Sequence, residues 1–360
     1  MDIVEATNKY ESWLSRHVDV VSDDVEVKHA SMRESLGHFF RATYPRWCEL
    51  WPDRCAAVAT LPSVVAAGDL HVDAFGVWRD DDHRLVWGVF DLDEAWWLPF
   101  THDLVRLGLS VKLAIESGHI RLDEEHALAA LLDGYRAALE RGGEPFVLAE
   151  RHEHLAALLQ DRVRAAARFW RAVEGAVLVP RASIPEALRR ALSRSLPRDC
   201  KIVGFGHRLG APGTLGRPSF VAWGSWRGSL VGREVRLATP PAVAFASRAG
   251  RVRADVLDRL RRSPTRADDP SLRIEADGWV LRRVAPDCTQ VELASLPSGR
   301  HDARLLGAMG QETANLHLAT RPAVELLEAL DGLPPSWLAD SVTAMGEALR
   351  ADWARWCAPR

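Results

Sequence analysis

Two short loops hold the side chains best suited to chemistry. GDLHVDAFG at 68–76 carries Asp69, His71 and Asp73, and DLDEA at 91–95 carries Asp91, Asp93 and Glu94. Each follows a strand-like stretch, SVVAA at 63–67 and RLVWGVFDL at 84–92, separated by the polar turn 79–83. The pattern predicts a hairpin over 63–92 with carboxylates at the end of each strand, so that Asp69 and Asp91 face one space. Such a pair suits a general base beside a ligand to a hard cation such as Mg²⁺, which prefers oxygen. Asp and Gly also form ordinary turns, and either loop alone is explained that way.

A second constellation lies far downstream. GAPGTLGRP at 210–218 offers Gly210, Gly213 and Gly216, which let a backbone approach phosphates, although a hairpin turn uses the same residues. REVRLA at 233–238 reads as a strand with Glu234 and Arg236 on one side. Arg236 could reach a phosphate from under the loop, or be a plain surface charge. Arg282 and Arg283 alternate on a strand, so only one faces inward. His317, after Asn315 in TANLHLA, reads as a packed core histidine. Trp96 and Trp97 beside the second loop fit either an aromatic wall or core packing.

The elements that must position these residues follow from periodicity. Met32, Leu36, Phe39, Phe40, Tyr44, Trp47 and Leu50 predict an amphipathic helix over 29–51, ended by Pro52. Helices continue from Thr101 to about Leu196, the last opened by a capping box of Ser183 and Glu186 with Pro185 early in its first turn. Residues 200–238 predict three antiparallel strands, and 272–293 further strands with a tight turn at Asp277–Gly278. Helices resume over 302–318, 322–330 and 335–356. The basic run 251–266 reads as a solvated helix face and loop. The expectation is an α+β chain in three parts: helical 1–197 containing both carboxylate loops, β-rich 198–295, and helical 296–360.

Composition removes several classes of function. The 360 residues carry 46 basic and 49 acidic side chains, a net charge of −3, without the basic excess of a dedicated nucleic-acid binder. Only Lys9, Lys28, Lys112 and Lys201 are lysines. Cys48, Cys55, Cys200, Cys288 and Cys357 form no C-x-x-C pair, which argues against a disulfide framework or zinc ribbon and for a reducing compartment. No apolar run reaches ~18 residues, and the start MDIVEATNKYESW is unlike a signal peptide. A soluble, cytoplasmic protein is expected.

GDLHVDAFGVWRD, LVWGVFDLDEA and LPFTHDLVRLGLS closely resemble the bacterial family called domain of unknown function 2252, whose pattern is G-D-x-H-x-x-N-F-G, N-D-F-D-E and P-x-x-x-D-L-x-R-L. The resemblance continues through KHASMRESLGHFFRATYPRW, APGTLGRPSFVAW, GREVRLA, VLRRVAPD and AMGQETANLHL, and so covers nearly the whole chain. That family is grouped with the protein-kinase-like superfamily, near aminoglycoside and choline kinases. The resemblance implies ATP and Mg²⁺ as cofactors and a small-molecule hydroxyl as acceptor. It places Asp69 as catalytic base with His71 beside it, Asp91 as metal ligand with Asp73 and Asp93 as further candidates, and Asp103 as a structural aspartate. Gly210, Gly213, Gly216 and Arg236 would face the nucleotide.

The catalytic and metal loops precede the Gly-rich segment here, opposite to ordinary kinases. A two-lobed, circularly permuted kinase-like fold is therefore expected, with 198–295 as the small lobe and the helix 302–318 leading towards the catalytic loop. One nucleotide must bridge both loops, so Gly213 must lie within ~15 Å of Asp91. Three positions depart from the pattern: Ala74 and Phe90 replace asparagines, and Arg236 replaces the small-lobe lysine. Asp255 and Asp258 are the acidic candidates for pairing with Arg236. These departures keep two alternatives open beside a working phosphotransferase: a pseudokinase that binds nucleotide without catalysis, and a metal-dependent hydrolase built on Asp69, His71, Asp73 and Asp91.

Overall fold

Ser35 divides what the periodicity reads as one helix over 29–51. Its backbone is extended (φ −154°, ψ 151°) and its hydroxyl accepts from the His38 N–H, so it caps a new helix instead of continuing the old one. The computed structural model, which describes residues 1–175, 177–178, 184–207, 213–247, 254–274, 278–296, 299 and 301–359, accordingly begins with α1 (Ile3–Leu14), α2 (Ser22–Glu34), α3 (Leu36–Ala42) and α4 (Tyr44–Arg54). Pro52 does not end α4. It sits in the last turn, which closes with the Cys55 N–H on the Trp51 carbonyl.

The expected pairing of 63–67 with 84–92 does not form. β1 (Ser63–Ala66) pairs instead with β4 (Trp96–Pro99), while β2 (Phe75–Arg79) and β3 (Leu85–Val89) make the hairpin. The cause is local. Gly68 has φ +83°, and a 3₁₀ turn at Val72–Ala74 follows, so the chain swings away from β1 before the next strand starts. A Cβ at Gly68 would lie 2.4 Å from the Glu94 carbonyl oxygen, so only glycine fits. The two carboxylate loops still meet, because the Phe90 and Asp91 N–H groups both donate to the Ala74 carbonyl (2.8 and 3.1 Å).

Helices α5 (Phe100–Glu116) and α6 (Glu124–Arg141) follow, then β5 (Phe146–Val147), α7 (Leu148–Arg151), α8 (Glu153–Arg164), α9 (Ala166–Glu174), β6 (Val177–Leu178) and α10 (Glu186–Ser195). Ser183 and Asp277, expected at a helix cap and a turn, lie outside the described residues; α10 is capped by Pro185. The three expected strands are β7 (Lys201–His207), β8 (Ser219–Trp226) and β9 (Ser229–Leu237). Next come α11 (Ala242–Ser247), α12 (Ala254–Arg261), β10 (Arg273–Ile274), β11 (Trp279–Val284) and β12 (Thr289–Gln290), and the chain ends in α13 (Asp302–Leu318), α14 (Ala323–Asp331) and α15 (Trp337–Cys357).

The architecture is α+β with antiparallel sheets. Six strands run β10-β11-β9-β8-β7-β6, and four run β12-β2-β3-β5. β12 thus leaves the β-rich segment and joins the hairpin, opposite Gly76 and Val77. Leu188 and Leu192 of α10 cover one face of the larger sheet against Ala222, Val235 and Leu281. Trp170 and Val173 of α9 cover part of the other against Val221, Trp223 and Val284. Elsewhere α6 and α13 touch backbone to backbone: a Cβ on Gly134 would fall 2.0 Å from the Gly307 carbonyl oxygen, and one on Gly310 2.0 Å from that of Leu131. The basic run is only partly solvated. Asp258 pairs with Arg262 on its surface, whereas Arg266 is buried, pairs with Glu312 at 3.0 Å and donates to the Val89 carbonyl. Among the described residues no helix is long and apolar enough to cross a membrane.

Candidate functional site

Asp103, in the first turn of α5, holds the loop that presents Asp69. Its two oxygens accept the N–H groups of Ala67 (2.7 Å) and Gly68 (2.9 Å), fixing the turn directly before Asp69. The same carboxylate receives His317 Nε2 at 3.2 Å, and His317 Nδ1 faces the Tyr135 hydroxyl at 2.9 Å. Burial resists ionisation of Asp103, but the His102 and His317 rings outweigh it and hold the carboxyl well below the usual range. His317 is therefore a core histidine, with its helix tied to the loop through Asp103.

Asp69 is held from below by Arg106, one turn further along α5. Arg106 Nε and Nη2 donate to Asp69 Oδ1 at 2.9 and 2.6 Å, and Nη2 also donates to the Phe40 carbonyl at 2.9 Å. The guanidinium lies 3.6 Å from the Phe40 ring centroid and is wholly buried. Burial pushes the Asp69 carboxyl above the ordinary aspartate value, with Arg106 opposing. Gly213 lies over this carboxylate; a Cβ there would stand 3.4 Å from Asp69 Oδ2 and 2.9 Å from the Arg41 carbonyl oxygen.

The remaining candidates mostly carry partners. His71 Nδ1 accepts the Asp73 N–H at 3.2 Å, so its proton sits on Nε2. Asp73 Oδ1 accepts the Leu293 N–H (2.7 Å), and Oδ2 lies 3.5 Å from Arg41. Asp91 Oδ2 takes the Gln290 amide at 3.2 Å, and Oδ1 the Asp93 N–H at 3.3 Å. Asp93 Oδ2 pairs with Arg236 at 2.9 Å, and Arg236 Nε is 3.7 Å from Glu234. Arg236 thus finds its carboxylates in the second loop and on its own strand, not at Asp258. Glu94 pairs with Arg217, at the end of the Gly-rich segment, and accepts the Ala242 N–H at 2.6 Å.

Asp69, Asp91, Asp93, Glu94 and Gly213 bound one small space of about 20 Å³, and His71 and Arg41 reach it too. That is room for about one water molecule. Beside it opens a cleft of about 950 Å³ that shares Arg41, His71 and Asp91 and is walled by Arg236 and Arg282 from the larger sheet and Trp353 from α15. Arg282 is the inward member of its pair, stacked 3.9 Å from the Phe90 centroid and bonded to the Phe90 carbonyl. Gly216 (φ +93°) packs by Val25, and its carbonyl accepts the Val21 N–H. Gly210 lies outside the described residues. Trp97 is 39% exposed beneath Arg259 and Trp96 packs into the core, so this pair does not wall the cleft.

The donor set does not fit a divalent cation held by the protein. Ala74 supplies only its carbonyl, which is engaged by Phe90 and Asp91. Asp73 and Asp93 are committed to Leu293 and Arg236, leaving Asp91 as the accessible carboxylate. Among the described residues no group of three His, Cys, Asp or Glu side chains is arranged for a metal.

Residues 20–180 match the family model described as "Uncharacterized protein conserved in bacteria (DUF2252)". The match supports the family resemblance carried by the motifs. No curated protein and no solved structure matches the chain. The matched stretch contains Asp69, Asp91, Asp103 and Arg106, whereas Gly213, Arg236, Arg282 and Gln290 lie beyond it. Arg106 was legible as the arginine of D-L-x-R-L, a charge set among Leu104, Val105 and Leu107, yet nothing local names Asp69 as its partner. Glu94–Arg217 and Asp91–Gln290 have no local signal at all.

The buried imidazoles predict a pH dependence of stability. Burial, with Arg41 and Arg106, holds His71 well below its ordinary pKa, and burial lowers His102. With folded values below the unfolded ~6.5, the unfolded chain takes protons first as pH falls. Stability present above about pH 6.5 is then lost on acidification, by at most ~2.7 kcal/mol per pH unit for two protons. Melting temperature should fall from pH 7 to pH 5, less steeply in His71→Asn. Identical slopes would remove His71 from the account.

Proposed function

We propose that the chain is a kinase-related, circularly permuted protein whose cleft binds a nucleotide through arginines and does not carry out phosphoryl transfer. The observation that carries this reading is the Asp93–Arg236 ion pair at 2.9 Å. One contact occupies both the cation expected to meet phosphate and a carboxylate of the expected metal loop. The arginine walls of the cleft favour phosphate oxygens, since guanidinium forks match them. A volume of about 950 Å³ is ample for a nucleotide. Neutral His71, presenting Nε2–H, serves as a donor to a bound oxygen and not as a base.

A working phosphotransferase is the second reading, favoured by Asp69 and Asp91 bounding one space under Gly213. It requires Gly213 to lift, because that space admits no phosphoryl group as it stands.

Thermal melting with ATP, in Mg²⁺ and in EDTA, separates the two. The proposal expects equal stabilisation in both, retained in Asp91→Ala and reduced in Arg236→Met. Stabilisation that needs Mg²⁺ and vanishes in Asp91→Ala overturns it in favour of transfer. Metal binding without nucleotide would revive the hydrolase. The double variant Ala74→Asn, Arg236→Lys should gain ATP turnover over the parent if the site descends from an active one.

A further inference from the structure

The larger sheet carries an unusual charge arrangement on the face opposite Arg236 and Arg282. Arg233 of β9 stands directly across from Arg283 of β11 in the antiparallel register. Arg273, paired with Leu281, is the diagonal neighbour of Arg283 on the same face. Like charges directly opposite one another destabilise a sheet. Arg79 reaches the group from β2: its Nε lies 2.6 Å from Asp287 Oδ2, while Arg283 Nη2 lies 3.1 Å from Asp287 Oδ1. Among the described residues, then, Asp287 pairs with two of these four guanidinium groups, Arg79 and Arg283.

Asp287 is shared between Arg79 and Arg283. Arg233 has only a neighbouring backbone carbonyl as acceptor, at 2.8 Å on Gly232, and no ion pair is formed by Arg233 or Arg273 among the described residues. An arginine-rich chain brings arginines together by chance where water screens them. Arg233 is different, being half-buried at the sheet surface. Burial, with Arg283 and Arg273 beside it, lowers its pKa from the ordinary arginine value. A sheet that keeps such a rung pays a standing electrostatic cost that a multiply charged anion would reverse.

We propose that Arg233, Arg273 and Arg283 form a site for a phosphate or pyrophosphate group of a small molecule, on the sheet face opposite Arg236 and Arg282 and meeting the cleft only at its rim. Three forks can each present paired N–H donors to tetrahedral oxygens, and the excess positive charge matches a di- or trianion better than a carboxylate. Arg283 also lines the rim of the cleft near Cys288, so the anion would sit against the edge of the nucleotide wall.

The test is thermal melting of the full chain with inorganic phosphate, pyrophosphate or ATP, against sodium chloride at equal ionic strength. Pyrophosphate should raise the melting temperature by about 2–4 °C. A response to pyrophosphate and ATP alike points to the phosphate end of a nucleotide, and one to inorganic phosphate as well points to the free ion; both support the site. Arg233→Gln should melt above the parent without anion, because repulsion is relieved, and lose the response. Exposed Arg273→Gln should weaken the pyrophosphate response without threatening the fold, and Arg236→Gln on the opposite face should keep the pyrophosphate response while losing part of the ATP response that belongs to the cleft. No response beyond chloride overturns the proposal. So does a pyrophosphate response kept in Arg233→Gln and lost in Arg236→Gln, which would put the anion in the cleft.

Discussion

Arg106→Met should unfold about 3–5 kcal/mol more easily than the parent chain, and Asp69→Asn in the same chain should restore much of the loss. Arg106 is wholly buried, and its Nε and Nη2 both serve one oxygen of Asp69. Methionine keeps the apolar volume against Phe40 and Trp47 but leaves the Asp69 charge facing protein with no counterion nearby of equal quality. The cost is the desolvation of that unpaired carboxylate, which is why neutralising it is expected to help. Urea unfolding of the two single variants and the double measures the coupling. A cost below ~1 kcal/mol for Arg106→Met, or additive effects in the double, would show that the pair does not hold the loop. A second signature is acid response: without Arg106 the Asp69 carboxyl rises further, so the variant should regain stability relative to the parent as pH falls towards 4.

Gly310→Ala should cost about 4 kcal/mol or more, which is large for a methyl group. At this position α13 meets α6 with no side chain between them, and the new carbon would stand 2.0 Å from the Leu131 carbonyl oxygen and 2.9 Å from the Tyr135 nitrogen. Neither backbone can yield without moving its helix. The shift would propagate, since α13 carries Glu312, bonded to the Val89 N–H and Arg266, and His317, bonded to Asp103. Loss of stability should therefore be accompanied by altered near-UV circular dichroism from Trp87, beside Val89 on β3. Gly307→Ala provides the control, because its Cβ would meet only the Ala130 carbonyl at 3.6 Å. Equal costs at the two positions would mean that the close approach at Gly310 is not what is being measured.

Much of the secondary structure could be read from the chain because its signals are local. The apolar and polar rhythm of α13 places its ends at Asp302 and Leu318, and the Arg227–Gly228 turn, with positive φ at both residues, marks the β8–β9 connection. The convergence of Asp69 and Asp91 could also be anticipated, although for the wrong reason. The loops meet through the Ala74 carbonyl and not through a hairpin of the strands preceding them. What the chain could not disclose is which charges meet. Arg106, Arg217 and Arg236 look alike in sequence, and their partners Asp69, Glu94 and Asp93 are chosen by packing between distant segments. The break at Ser35 carried a capping signal that a continuous apolar stripe overrode.

The strand β12 has a consequence for how the protein comes into being. Gln290 lies 199 residues from Asp91, and the Leu293 N–H lies 220 residues from Asp73, yet each completes the surroundings of its aspartate. During synthesis both acidic loops emerge long before these partners exist. The nascent hairpin must wait, with its β2 edge unpaired, until some four-fifths of the chain has been made. Contacts of such long range slow folding, because loop closure precedes any gain from the contact. An open edge in that interval is also where a stray strand would pair. Fragments ending before residue 289 would accordingly be expected to aggregate and not to assemble the cleft.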